Sequence, residues 1–351
     1  MKKNLQLALA ITLGFATTVS AQDWSVDSRT RVTNNDAEMS TDQRVRLGLN
    51  FGGDAVSVHT SFNAGATLGD FAGQTSMNFG VREAYASTDL MGYASVSAGR
   101  MALNIGSGRV IGDNDWTQGN GNTWDGFMFG INNDFADINF GYAAAMDSTA
   151  GFDGSSMMVN MAKEMGDMSF NVLYMTTSVE GMEDNTTMAL EGSYAMSNGA
   201  TLSFGHYTND DGSEGGESGL TSVGATYGVN DNISINAGYD MYDDNGFYSA
   251  DGSFGGADFQ FGNALDYSNM DGCTDMNLGG SYTMGNISVG ATMHMVEADA
   301  TDVDDARDFS TMEFNLGYSL SDNSSLSMNF ASSDETEDDA TRMWMSLSMA
   351  F

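Results

Sequence analysis

Not one proline occurs in 351 residues, although an average chain spends roughly 5% of its positions on it. Proline has no N–H for a sheet ladder and is kept out of strand interiors. Its absence suggests a chain spent almost wholly in paired strands. Cysteine is nearly as scarce. Cys273 stands alone, which excludes an internal disulfide and leaves burial and hydrogen bonding to hold the fold. Positive charge is the third deficit: 12 Lys and Arg oppose 48 Asp and Glu, for a net charge of −36. A nucleic-acid partner is excluded at that charge. Beyond the N-terminus no run of about 18 apolar residues occurs, so no transmembrane helix is expected. Such a chain is either soluble or crosses a membrane as a closed barrel.

The first residues have the marks of an export signal. Lys2 and Lys3 precede an apolar stretch from Leu5 to Ala16, and Val19-Ser20-Ala21 supplies the small residues of a cleavage site. Residues 1–21 are therefore expected to be a signal peptide and 22–351 a single domain. The apolar stretch is too short for a membrane anchor, and no cysteine follows the cleavage site to carry a lipid. Loss of the two lysines leaves 10 basic residues against 48 acids.

From residue 22 one theme repeats. Segments of about ten residues alternate apolar with small or polar residues and are punctuated by Gly, Asn, Asp and Ser. "RVRLGLNF" (Arg44–Phe51), "MSFNVLYM" (Met168–Met175), "ISINAGYDM" (Ile233–Met241) and "MEFNLGYSL" (Met312–Leu320) are examples. Period two puts the two sets on opposite faces of a strand. One face is too polar for a sandwich core and the other too apolar for a solvent face. The pattern fits a barrel with lipid outside and water inside. Most of the 27 methionines are expected on the outer face. Small inward residues such as Gly48, Ser57, Asn139, Gly141, Asn236 and Gly238 leave room for water.

Connections alternate in length. Eight short ones fall at 52–54, 88–92, 132–134, 165–167, 197–199, 230–231, 284–286 and 321–323. Nine long ones fall near 34–40, 67–75, 103–121, 147–154, 178–186, 209–218, 243–272, 297–308 and 331–340. Short periplasmic turns and long external loops are the habit of outer-membrane barrels. The expected fold is all-β, a transmembrane antiparallel barrel of eighteen strands, with sixteen as the alternative count. Both chain ends then lie on the periplasmic side. The last segment, "RMWMSLSMAF" (Arg342–Phe351), places Met343, Met345, Leu347, Met349 and Phe351 on one face. This ending resembles the C-terminal signature of bacterial outer-membrane barrels, which implies the barrel-assembly machinery as a partner.

Seven of the ten basic residues after the leader lie before residue 110. Arg29 and Arg31 share one face of the first strand, Arg44 and Arg46 the inner face of the second, and Arg342 has inward parity in the last. Barrel closure should make these one positive patch on the lumen wall, since Arg facing lipid costs ~2–4 kcal/mol at mid-depth. The plainer reading is that they neutralise neighbours such as Asp27. Inward acids Glu191, Asp240 and Glu313 would oppose them across the lumen, tuning which ions pass. Arg82 and Arg100 are also expected in the pore lining. Alternation, however, sets Arg100 with Val96 and Ala98 unless Gly99 shifts the phase, and sets Glu83 beside Val81. The 103–121 loop holds Gly106, Gly108 and Gly112 together with Arg109, Asp113, Asp115 and Trp116. Glycine permits the tight turns by which a loop folds into a lumen, and a loop this long is usually functional. It is expected to narrow the pore; the alternative is an external loop stapled by an Arg–Asp pair.

Most acids crowd the external loops, as in "NDDGSEGGES" (Asn209–Ser218), "EADATDVDDARD" (Glu297–Asp308) and "SSDETEDDA" (Ser332–Ala340). They read as a solvated rim. Clustered carboxylates also suit Ca²⁺, although no loop has the twelve-residue calcium spacing. No other cofactor is indicated.

Between residues 80 and 126 the pieces "REAY" (Arg82–Tyr85), "GR" (Gly99-Arg100) and "RVIGDNDWTQ" (Arg109–Gln118), followed by Asp125, resemble the alginate-export-type family of outer-membrane porins. The resemblance implies an eighteen-stranded barrel with a charged lumen. The chain lacks a dense basic lining throughout, so the reading is a porin for ions and small hydrophilic solutes rather than an alginate exporter. Catalysis has little support. His59, His206 and His294 are the three histidines, and no nucleophile–base motif, phosphate loop or zinc spacing accompanies them. The alternative to a channel is a structural or adhesive barrel whose acidic loops bind a partner. A homo-oligomer is compatible with either.

Overall fold

The structure, a computed structural model, describes residues 22–350 apart from 36–37, 54–55, 69–75, 113–122, 134, 148–151, 214, 248–269, 299–307 and 335–339. The leader, Phe351, and most of the 297–308 and 332–340 loops lie outside the described residues. The first six strands are β1 (Gln22–Asn35), β2 (Glu38–Gly52), β3 (Val56–Leu68), β4 (Ser76–Leu90), β5 (Ala94–Met101) and β6 (Trp124–Asn132). The next six are β7 (Asp137–Asp147), β8 (Phe152–Met165), β9 (Met168–Val179), β10 (Asn185–Ala195), β11 (Ala200–Asp210) and β12 (Glu217–Asn230). The last six are β13 (Ile233–Tyr242), β14 (Cys273–Met284), β15 (Ile287–Ala298), β16 (Phe309–Ser321), β17 (Ser324–Ser333) and β18 (Ala340–Ala350). Each pairs antiparallel with its sequence neighbours, and β18 pairs with β1, Asp27 opposite Ala350 through Asn35 opposite Arg342. The eighteen strands thus close, and no sheet edge is left unpaired.

All eight short turns fall where the alternation puts them. Gly166 and Gly285 each open a two-residue turn with φ of +62° and +59°, between Met165 and Met168 and between Met284 and Ile287. A hairpin turn of that type needs a positive φ at its first central position, which glycine takes without strain. One long connection is shorter than expected. β1 and β2 stay paired up to Asn35 opposite Glu38, so the span at 34–40 is mostly strand.

The outer face carries the apolar set: Met157, Val159 and Met161 of β8, Val172 and Tyr174 of β9, and Phe127, Phe129 and Ile131 of β6 are all exposed. The inner face departs from the expected pattern on one side. Met158, Leu173, Met175, Ala189, Leu220 and Tyr242 occupy inward positions and are buried with Val110 and Ile111 of the β5–β6 connection. Some methionines therefore serve inside the barrel. The sequence trace of this is the continuous apolar run Val172–Met175, which marks a strand segment buried on both faces.

Candidate functional site

In a closed barrel of eighteen strands, β1–β4 stand across the lumen from β10–β13. On the first wall the register sets Asp27 opposite Arg46, Arg29 opposite Arg44 and Arg31 opposite Asp42. Like charges directly opposite repel, and the flanking acids offset this: Arg44 donates to Asp27 at 2.8 Å and is 4% exposed. Arg46 donates to Asn63 Oδ1 at 2.9 Å. Arg342, opposite Asn35, has inward parity but sits above Trp344 and Ser346, which face Thr33 and Arg31. It stands away from the other four by that tryptophan step.

Arg82 is an extra residue in its strand. Ser61 pairs with Glu83 and Phe62 with Val81, leaving a bulge at Arg82. A bulge re-aims side chains by inserting one residue, and here it turns both Arg82 and Glu83 inward while Val81 stays outside. Arg82 is 4% exposed and reaches Glu83 at 3.9 Å. Glu83 accepts from Ser61 Oγ at 2.9 Å and from the Ala102 amide at 3.4 Å, and lies 3.3 Å from His59 Nε2. The parity conflict of Glu83 with Val81 is resolved by that bulge.

Arg100 departs from the lumen position expected of it. Gly99 stays paired with Gly126 and Arg100 with Asp125, so the phase of the exposed Phe127 and Phe129 carries through to both charged residues. The Arg100 guanidinium forks onto Asp125 at 2.7 and 2.6 Å, a bidentate pair on the outer face. Gly99 has φ +130°, and a Cβ there would lie 2.1 Å from the Ala84 carbonyl oxygen. Its role is close approach of two backbones, not a change of phase.

The β5–β6 connection reaches over to β9–β13, the wall across from β1–β4. Ile105 bridges Ile111, making a tight loop whose tip is Gly106-Ser107-Gly108. The Ser107 amide donates to Glu191 of β10 at 3.1 and 3.2 Å, and its hydroxyl donates to the same carboxylate. Tyr207 of β11 adds its OH at 2.8 Å and Asn171 of β9 its amide at 3.0 Å. Arg109 pairs with Asp240 of β13 at 3.0 Å, the two side chains being 11% and 2% exposed. It also lies 5.8 Å from the Tyr207 ring centroid, within cation–π range. Gly106 has φ +59° and comes so close to the wall that a Cβ would be 1.9 Å from Glu191 Oε2. Glu191 and Asp240 were legible as inward acids. Ser107, Tyr207 and Asn171 were not, although a tyrosine at inward parity in "FGHYTND" is the available hint. Asp113, Asp115 and Trp116 lie outside the described residues.

Further along the same wall, Asp275 and His294 pair at 2.8 Å, nearly fully buried, and Glu313 is 1% exposed. His59, His206 and His294 share no site: their partners are Asn50 and Glu83, Thr221, and Asp275. In the acidic loop after β11 the carboxylates serve local turns. Asp211 accepts from the Ser213 amide at 2.9 Å and its hydroxyl at 2.6 Å, and these bonds hold its carboxyl below the ordinary aspartate range. Among the described residues no three metal-ligating side chains come together.

A closed antiparallel barrel with an apolar exterior, a charged interior and no membrane-spanning helix among its described residues is an outer-membrane channel protein. The family comparison agrees and is more particular. A profile describing Gram-negative porins matches residues 6–339, and the chain belongs to that family, whose members are channels of the outer membrane and not enzymes. No curated protein matches the sequence. Among solved structures it is similar in fold to Pseudomonas aeruginosa OccK5 (OpdH), with a TM-score of 0.72 at 13% identity over 95% of this chain and 98% of that one. P. aeruginosa OpdK, solved with vanillate, gives 0.72 at 12% over 95% and 99%. Acinetobacter baumannii OccAB3 gives 0.72 at 12% over 95% and 100%.

Proposed function

We propose that the chain, after cleavage behind Ala21, forms a water-filled pore for passive diffusion of ions and small hydrophilic solutes, narrowed by the loop near 103–121. What carries the reading is the reach of Ser107 and Arg109 from one wall to Glu191 and Asp240 on the other. The arginines of β1, β2 and β4 stand on one side of that passage and the acids of β10–β16 on the other, and Asp113, Asp115 and Trp116 belong to the same loop by sequence. The C-terminal segment Arg342–Phe351 is the one offered to the barrel-assembly machinery. The alginate-type motif residues meet as a structural joint, the Arg82 bulge and the Arg100–Asp125 pair, and so carry no argument for alginate. The test is a planar-bilayer recording under a salt gradient. Steady conductance with an ion-biased reversal potential is expected; a folded barrel without conductance overturns the proposal.

The outer face of β3–β6 supports a homo-oligomer. The Arg100–Asp125 pair stands there among Thr60, Ala84, Ala86 and Ala98, on the two shortest strands, of 8 and 9 residues. Lipid is a poor neighbour for an ion pair, whereas a second copy offers polar groups and small residues admit it closely. Light scattering of gently extracted protein is expected to give a multiple of the chain mass, and Ala98→Trp to give single chains. A monomer throughout refutes this interface.

A further inference from the structure

Beneath the crossing loop lies a cavity of about 550 Å³ against β7–β12, within the range of small-molecule sites. Its lining is dominated by amides and hydroxyls. Glu191, as a carboxylate, only accepts hydrogen bonds. Asn171 must therefore present its NH₂ to Glu191, at 3.0 Å. Its carbonyl oxygen then faces back and accepts from Asn160 Nδ2 at 2.5 Å. Asn160 in turn presents its carbonyl to Asn139 Nδ2 at 3.5 Å. Four adjacent strands thus carry one directed chain of side chains, its polarity set by a single carboxylate. Asn160 spends further donor capacity on the Val172 carbonyl at 3.2 Å and is 4% exposed, so it acts as the fixed middle. Asn139 and Asn171 are half-buried and retain both donor and acceptor capacity. Below them Ser169 and Ser193 form a hydroxyl pair at 2.6 Å.

The two charges nearest the loop are already engaged. Glu191 receives Ser107, Tyr207 and Asn171, and Arg109 is turned to Asp240. Lys163 and Glu164 are consecutive on β8 and so stand on opposite faces of the sheet, Glu164 on the lumen side. An anion entering the cavity meets carboxylates already in place, and a cation finds the Glu191 oxygens taken by neutral donors. A hydroxyl group, which donates and accepts at once, matches amides that do the same.

From this lining we infer that the cavity is a binding subsite for uncharged, hydroxyl-rich solutes of mono- to disaccharide size. The inference rests on the pore reading above and assigns it a solute class. It is tested on the refolded full barrel in planar bilayers, with maltose as the neutral probe and gluconate as the anionic one. Maltose is expected to reduce the current with saturation, whereas gluconate reduces it only in proportion to added viscosity. Asn171→Leu and Asn139→Leu are expected to raise the half-blocking maltose concentration about tenfold, the loss of one or two hydrogen bonds. Half-blocking concentration is read within each channel and needs no reference to its open conductance. Should a leucine variant fail to assemble, the maltose–gluconate comparison on the unaltered chain decides alone. Non-saturating effects of both solutes overturn the subsite while leaving the pore intact. A folded barrel that carries no current at all overturns the pore itself.

Discussion

Detaching the crossing loop raises single-channel conductance and open-channel noise. Asp240→Ala is the sharpest way to do it, because Arg109 and Asp240 are both largely buried. Removing one member of a buried pair leaves an uncompensated charge and costs ~3–5 kcal/mol. Applied to the tethered state alone, that shifts the balance between docked and released loop by at least a hundredfold, since ~1.4 kcal/mol is a factor of ten. Gly106→Val acts at the other anchor. Its φ of +59° suits glycine and a Cβ there meets the Glu191 carboxylate, so Ser107 is pushed off its acceptor. A β-branched residue at positive φ is strained whatever space Glu191 yields. Both variants should give the same larger, noisier channel. A conductance equal to that of the parent in both shows that the segment does not obstruct the path.

Reversing charge on the β1–β2 wall shifts the ion preference toward cations. Arg44→Glu with Arg46→Glu replaces two cations by two anions beside Asp27 and Asp42, while the acids across the lumen remain. Fields in a low-dielectric cleft concentrate the ion of opposite sign, so the cation-to-anion permeability ratio is expected to rise several-fold in dilute salt. The effect fades near 1 M, where the screening length is about 3 Å. Arg100→Glu is the counterpart on the outer face, paired with Asp125 away from the lumen, and should leave the ratio unchanged. An equal response to both changes would show that the external loops, not the wall, set selectivity.

The architecture was written in the residue order to an unusual extent. Period-two alternation is a local property, so "RVRLGLNF" or "ISINAGYDM" declares its two faces without knowing its neighbours. The alternation of short and long connections then gives eighteen strands, with sixteen left open until closure decides it, and puts both chain ends at the short-turn end, the end where β1 and β18 pair Asp27 with Ala350. The inward parity of Arg29, Arg31, Arg44, Arg46, Glu191 and Asp240 follows from the same counting. What counting along one strand cannot supply is pairing between strands. The bulge that turns Arg82 and Glu83 inward together exists only because Ser61 and Phe62 meet Glu83 and Val81. That Gly99 leaves the outward phase of Arg100 unshifted is decided by its register with Asp125. The landing of Ser107 on Glu191 and of Arg109 on Asp240 joins residues 84 and 131 positions apart. Sequence alone determined the barrel and, wherever strands run without a bulge, which side chains look inward, because alternation is local. Tertiary structure alone decided which of them meet across the lumen, because those contacts depend on closure of the whole barrel.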